Sequence, residues 1–86
     1  MKTVYIVMVV GYWGKGPDIK TAAQNCKKQG AMRGDKVLVK SYAGPSLKPE
    51  EVTVDNCGYV SYPAGVKGTT IHSPRTGKTT LGNLLK

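Results

Sequence analysis

The chain has no phenylalanine; five tyrosines and a single tryptophan carry its whole aromatic load. These two residue types keep a polar end when they pack, so part of the aromatic surface belongs at the rim of the core or on a binding face. Acid is scarce as well, with 5 Asp and Glu against 13 Lys and Arg, a net charge of +8 and a pI near 9.7. The acids Asp18, Asp35, Glu50, Glu51 and Asp55 all lie in the first 55 residues, and beyond them come Lys67, Arg75, Lys78 and Lys86 with no acid between. A stretch of one sign implies attraction to a polyanion or to an acidic partner surface.

Other shortages exclude more. Cys26 and Cys57 show no CxxC spacing, and with the lone His72 they cannot furnish a four-ligand zinc site. No stretch approaches the roughly 20 apolar residues of a membrane span. The apolar start runs into bulky Tyr12 and Trp13, where a signal peptide would offer small residues for cleavage. The expectation is therefore a cytoplasmic protein with two reduced cysteines and no metal, cofactor or membrane partner.

What is present reads as one folded domain of 86 residues, 40% hydrophobic and 21% charged. The unbroken run Val4 to Val10, rich in β-branched residues, predicts a strand covered on both faces. Residues 17–29 predict a helix. Ile19, Ala22, Ala23 and Cys26 share one stripe, Pro17 fits the first helical position, Asp18 suits the positive end of the dipole and Gly30 stops it. Its small apolar stripe lets that helix lie close to a sheet. Residues 36–43 predict a second strand, with Val37, Val39 and Ser41 on one face and Leu38, Lys40 and Tyr42 on the other. A crossover through the helix would make these two strands parallel. Val52–Val54, Tyr59–Tyr62 and Thr69–His72 are short β-rich pieces separated by turn signals, which predicts an antiparallel meander. Leu81, Leu84 and Leu85 share a face in a possible closing helix. The expected fold class is α+β: a single small domain whose mixed four- to five-stranded sheet carries one main helix on one face, in the order β-α-β-β-β. Residues 1–73 form the domain, and 74–86 a basic segment that is flexible or a short helix.

Two motifs bear on chemistry. Gly11-Tyr12-Trp13-Gly14-Lys15-Gly16 lies between a strand and a helix, where proteins cradle phosphate, yet its spacing matches neither the dinucleotide fingerprint nor the P-loop. Pro17 removes a donor and Asp18 adds a negative charge there, so a tight structural turn is the expectation. Thr76-Gly77-Lys78-Thr79 copies the end of a P-loop, but His72 stands where that pattern needs its first glycine. Ser73 to Thr80 reads better as an exposed basic segment able to follow a phosphate backbone. Catalysis finds no constellation: His72 has no carboxylate near it in sequence, and Glu50-Glu51 resembles a solvated loop.

Binding remains. Tyr12 and Trp13 beside Lys15, and Tyr42 beside Lys40, combine stacking and cationic groups as single-stranded nucleic-acid binders do. Lys20, Lys27 and Lys28 add a cationic helix face. The hydrophobic first strand, the Gly-Tyr-Trp-Gly-x-Gly turn and the Ala-rich helix resemble the compact orphan α+β proteins that bacteriophages encode to act on host machinery. The resemblance covers residues 1–30 and carries over no functional residue. The element order is also similar to the double-stranded-RNA-binding-like topology, an analogy of fold alone. The expectation is a non-enzymatic protein that binds DNA or RNA, with Lys15, Lys20, Lys27, Lys28, Lys40, Arg75 and Lys78 contacting phosphate and Tyr12, Trp13 or Tyr42 stacking. The alternative is a modulator or inhibitor docking on an acidic surface of a host protein. A strand edge left free would allow a homodimer.

Overall fold

A computed structural model describes residues 2–75 and 77–86. The apolar run forms strand β1 (Lys2–Val9), which turns at Val10-Gly11 into β2 (Tyr12–Gly16). Gly11 takes φ 85°, a left-handed value that glycine adopts without strain. After α1 (Ile19–Gln29) come β3 (Leu38–Gly44), a 3-10 turn (Pro49–Glu51), β4 (Thr53–Val54), β5 (Val60–Ser61), β6 (Lys67–His72) and a one-turn helix, α2 (Leu81–Leu84).

The fold class is α+β, with a four-stranded sheet in the order β2-β1-β3-β6 and a separate two-stranded sheet, β4-β5. The larger sheet is antiparallel throughout, not mixed. The crossover exists, but it joins different strands from those expected. β2 and β3 both run antiparallel to β1, so α1 connects two parallel strands with β1 inserted between them. The expected meander is also absent, because β4 and β5 pair with each other while β6 crosses back to the edge beside β3.

β1 is covered on both faces, as its composition demands. On one side Val7 packs with Ala22, Ala23 and Cys26 of α1, with Val37 and Val39, and with Leu81. On the other Val4, Ile6 and Met8 pack with Tyr42, Leu47 and Val52, so the segment from Gly44 to Val66 forms a second covering layer. The end of the chain belongs to this core: Leu81 is 0% exposed, and Lys36 bridges to Thr80.

The caps of α1 differ slightly from expectation. Asp18 is the N-cap rather than a first-turn residue, and its carboxylate accepts the Thr21 N–H at 2.7 Å. That bond holds its carboxyl below the usual carboxylate range. Pro17 therefore precedes the cap. Gly30 closes the helix at φ 127°, donating its N–H to the Lys27 carbonyl.

Candidate functional site

The glycine-rich stretch is a packing device. In the β1-β2 register Val9 faces Tyr12, Val7 faces Gly14 and Tyr5 faces Gly16, which puts those three residues of β2 on the helix side. A β-carbon at Gly14 would overlap the Cys26 nitrogen and the Ala22 carbonyl, and one at Gly16 would lie 2.8 Å from the Ala22 nitrogen. α1 thus rests directly on the β2 backbone, and Asn25 fastens it there by donating to the Lys15 carbonyl at 2.7 Å. No phosphate cradle is formed, since the helix occupies the face that a ligand would need.

Lys15 and Trp13 point to the opposite face. The Lys15 ammonium donates to the Pro49 carbonyl at 2.7 Å and to the Val52 carbonyl at 2.8 Å, which engages it within the fold. Tyr42 is also removed from the expected surface. It is 3% exposed beneath the covering layer, its ring 4.7 Å from that of Tyr62, and burial pushes its phenol pKa upward. Lys40 shares that covered face and is half-buried. The open sheet platform expected around Tyr42 and Lys40 is not there, because residues 44–66 fold over it.

The remaining cations are exposed, and the fold gathers some of them. Lys20, Gln24, Lys27 and Lys28 fall on one stripe of α1, away from the Ala22, Ala23 and Cys26 stripe that meets the sheet. A groove of about 360 Å³ is lined by Gln24, Lys27, Lys28, Leu85 and Arg33, with no carboxylate in its wall. Arg33 escaped the reading of the sequence, where it lies in the connection after α1. α2 holds that connection in place: the Gly82 N–H donates to the Arg33 carbonyl and the Leu81 N–H to the Asp35 carbonyl, both at 2.9 Å. An exposed cation a few residues beyond Lys27-Lys28 was the available signal. Lys78 and Arg75 are exposed on the segment leading to α2. Thr76, part of the P-loop-like string, lies outside the described residues.

Most of the carboxylates are tied to their own turns. Asp18 accepts from Thr21 N–H, Asp35 from Met32, Glu51 from Lys48, and Asp55 from Cys57 and Tyr59. They keep their charge, but none of them lines the groove of Lys27, Lys28 and Arg33.

Tyr12 and Trp13 are separated by the pleat. Tyr12, 42% exposed, lies over Gly30 at the end of α1. Trp13, 36% exposed, looks across a cleft toward the Asp55–Gly58 turn on the other side of the sheet. Both nevertheless border that cleft. Among the described residues no cluster of His, Cys, Asp and Glu could hold a metal ion, and no helix is long and apolar enough to cross a membrane. No family model, curated protein or solved structure matches this chain. What defines it is its own architecture, a small α+β domain bearing a cationic groove between α1, Arg33 and Leu85.

Proposed function

We propose that this is a small non-enzymatic nucleic-acid-binding protein that holds a phosphate backbone along α1 and in the groove of Lys27, Lys28 and Arg33. The carrying observation is that groove: cations from two elements converge with no acid in its wall, in a chain of net charge +8. The negative end of the α1 dipole lies nearby, so side chains rather than helix N–H groups make the phosphate contacts. Lys20 extends the row toward the helix start. Arg75 and Lys78 supply a second, exposed set of cations.

The test is fluorescence anisotropy of labelled DNA and RNA at about 50 and 200 mM salt, a range over which phosphate contacts lose much of their affinity. Binding should weaken steeply with salt. Each of Lys27→Ala, Lys28→Ala and Arg33→Ala should reduce the slope of log affinity against log salt by about 1. Failure to bind any oligonucleotide at the lower salt would refute the reading.

A second reading, docking on an acidic host-protein surface, draws on the exposed apolar side chains of Val10, Met32 and Tyr59. Exposed apolar anchors on a basic protein suit an interface with an acidic partner. It predicts binding to an acidic polypeptide and none to bare oligonucleotide.

A further inference from the structure

Resting on the nucleic-acid reading, we infer that the ligand is a single strand, whose bases enter two clefts at the β1-β2 hairpin end, one aromatic-walled and one apolar, while its phosphates run to the Lys27, Lys28 and Arg33 groove. The first cleft, about 370 Å³, is walled by Met8, Tyr12 and Trp13 on one side and by the Asp55–Gly58 turn on the other. The second, about 430 Å³, lies between Val9, Val10 and Leu38 on one side and Lys36 and Pro74 on the other. The two share Met8, Val9, Val10 and Gly58, so they flank the hairpin tip as one depression. Val10 at that tip is 100% exposed.

The track continues into the cationic region. Lys36 and Asp35 border the second cleft, and the connection just before them, Ala31 to Gly34, lines a hollow with Lys27. Lys27 and Arg33 then line the groove beside α1. A depression with an aromatic wall and an apolar flank thus leads, through adjoining surfaces, to a row of cations. Single strands are held by this pairing of stacking and backbone neutralisation.

The carboxylates decide which part of the strand goes where. Asp55 lines the first cleft and Asp35 the second, and both would repel phosphate. Uncharged bases meet no such penalty. A duplex keeps its bases stacked inside, so it could use the cationic groove but not the clefts.

The chain has one tryptophan, so its fluorescence reports on Trp13 alone. The experiment titrates the protein with an oligothymidine of about 16 nucleotides, the upper range for a small single-strand-binding domain, and with a duplex of equal length. The oligothymidine should quench Trp13 and bind more tightly than the duplex. Trp13→Ala should weaken single-strand binding about five- to hundredfold, and Trp13→Phe should restore most of it. Trp13→Ala should leave duplex binding unchanged, with circular dichroism confirming that both variants fold. Equal affinity for duplex and single strand with no quenching would overturn the inference while leaving the nucleic-acid reading standing. Absence of binding to either would remove both, and binding to polyglutamate in that case would favour the protein-docking reading.

Discussion

Gly14 lies directly beneath Cys26, with no room between the β2 backbone and that of α1 for even one carbon atom. The obstruction is backbone, which cannot rotate away as a flexible side chain would. Gly14→Ala should therefore cost at least about 3 kcal/mol, the upper end of ordinary overpacking. The melting temperature should fall by about 12 °C or more. Gly34 is the control: a β-carbon there meets nothing within 4 Å and its backbone is not left-handed. Gly34→Ala should leave the melting temperature unchanged or slightly raised. Equal effects at the two positions would show that α1 does not rest on β2.

This contact also explains how far the fold could be read from sequence. The run Val4 to Val10 can only be a doubly covered strand, and the Ala22, Ala23 and Cys26 stripe announces a close-packed helix. Both follow from local composition. β2 was hidden because Gly-Tyr-Trp-Gly-Lys-Gly has the look of a turn, and its glycines answer to α1, a demand visible only once strand and helix have met. Missing β2 also reversed β3: a crossover starting from β1 would make β3 parallel to it, whereas one starting from β2 makes it antiparallel. The site was legible in part. Lys27 and Lys28 stand on the polar stripe of α1, but Arg33 joins them only through the hydrogen bonds from α2. Lys15 and Tyr42 were lost to the fold because the covering layer of residues 44–66 has no periodicity that says what it covers.

Lys15 offers a direct separation of structural from binding cations. Its ammonium fastens the 3-10 turn to the edge of the sheet through the Pro49 and Val52 carbonyls. Lys15→Met keeps the aliphatic stem and removes the donor. In this half-exposed position the freed carbonyls can recover water, so the loss should be about 1–3 kcal/mol. Denaturant unfolding should show a lower midpoint with an unchanged m-value. The salt slope for nucleic-acid binding should stay at the wild-type value, unlike that of Lys27→Ala. A changed slope in Lys15→Met would mean that Lys15 contacts phosphate after all.

The two cysteines should differ sharply in reactivity. Cys57 is exposed on the turn beside the Trp13 cleft, whereas Cys26 is buried under β2, and burial pushes its thiol pKa upward. At mildly alkaline pH a disulfide reagent should modify Cys57 quickly and Cys26 only as fast as the protein unfolds. Gly14→Ala, by lifting α1, should accelerate the slow phase. Fast modification of both thiols in the native protein would contradict the packing of α1.

Tyr42 should make stability depend on pH at the alkaline end. Burial favours the neutral phenol, so its pKa lies above the unfolded value, and charge repulsion from Tyr62 acts in the same direction. The folded protein therefore holds this proton more firmly than the unfolded chain. The associated stability is complete below the unfolded value of about 10 and is lost as pH rises from there toward the folded pKa. An alkaline titration followed by tyrosinate absorbance and circular dichroism tests this. Tyr42 should ionise with the loss of near-ultraviolet circular dichroism. Tyr42→Phe keeps the ring against Tyr62 and removes the titrating group, so its unfolding midpoint should move to higher pH. Ionisation of Tyr42 while the fold persists would place it in solvent and restore the sheet face as an open surface.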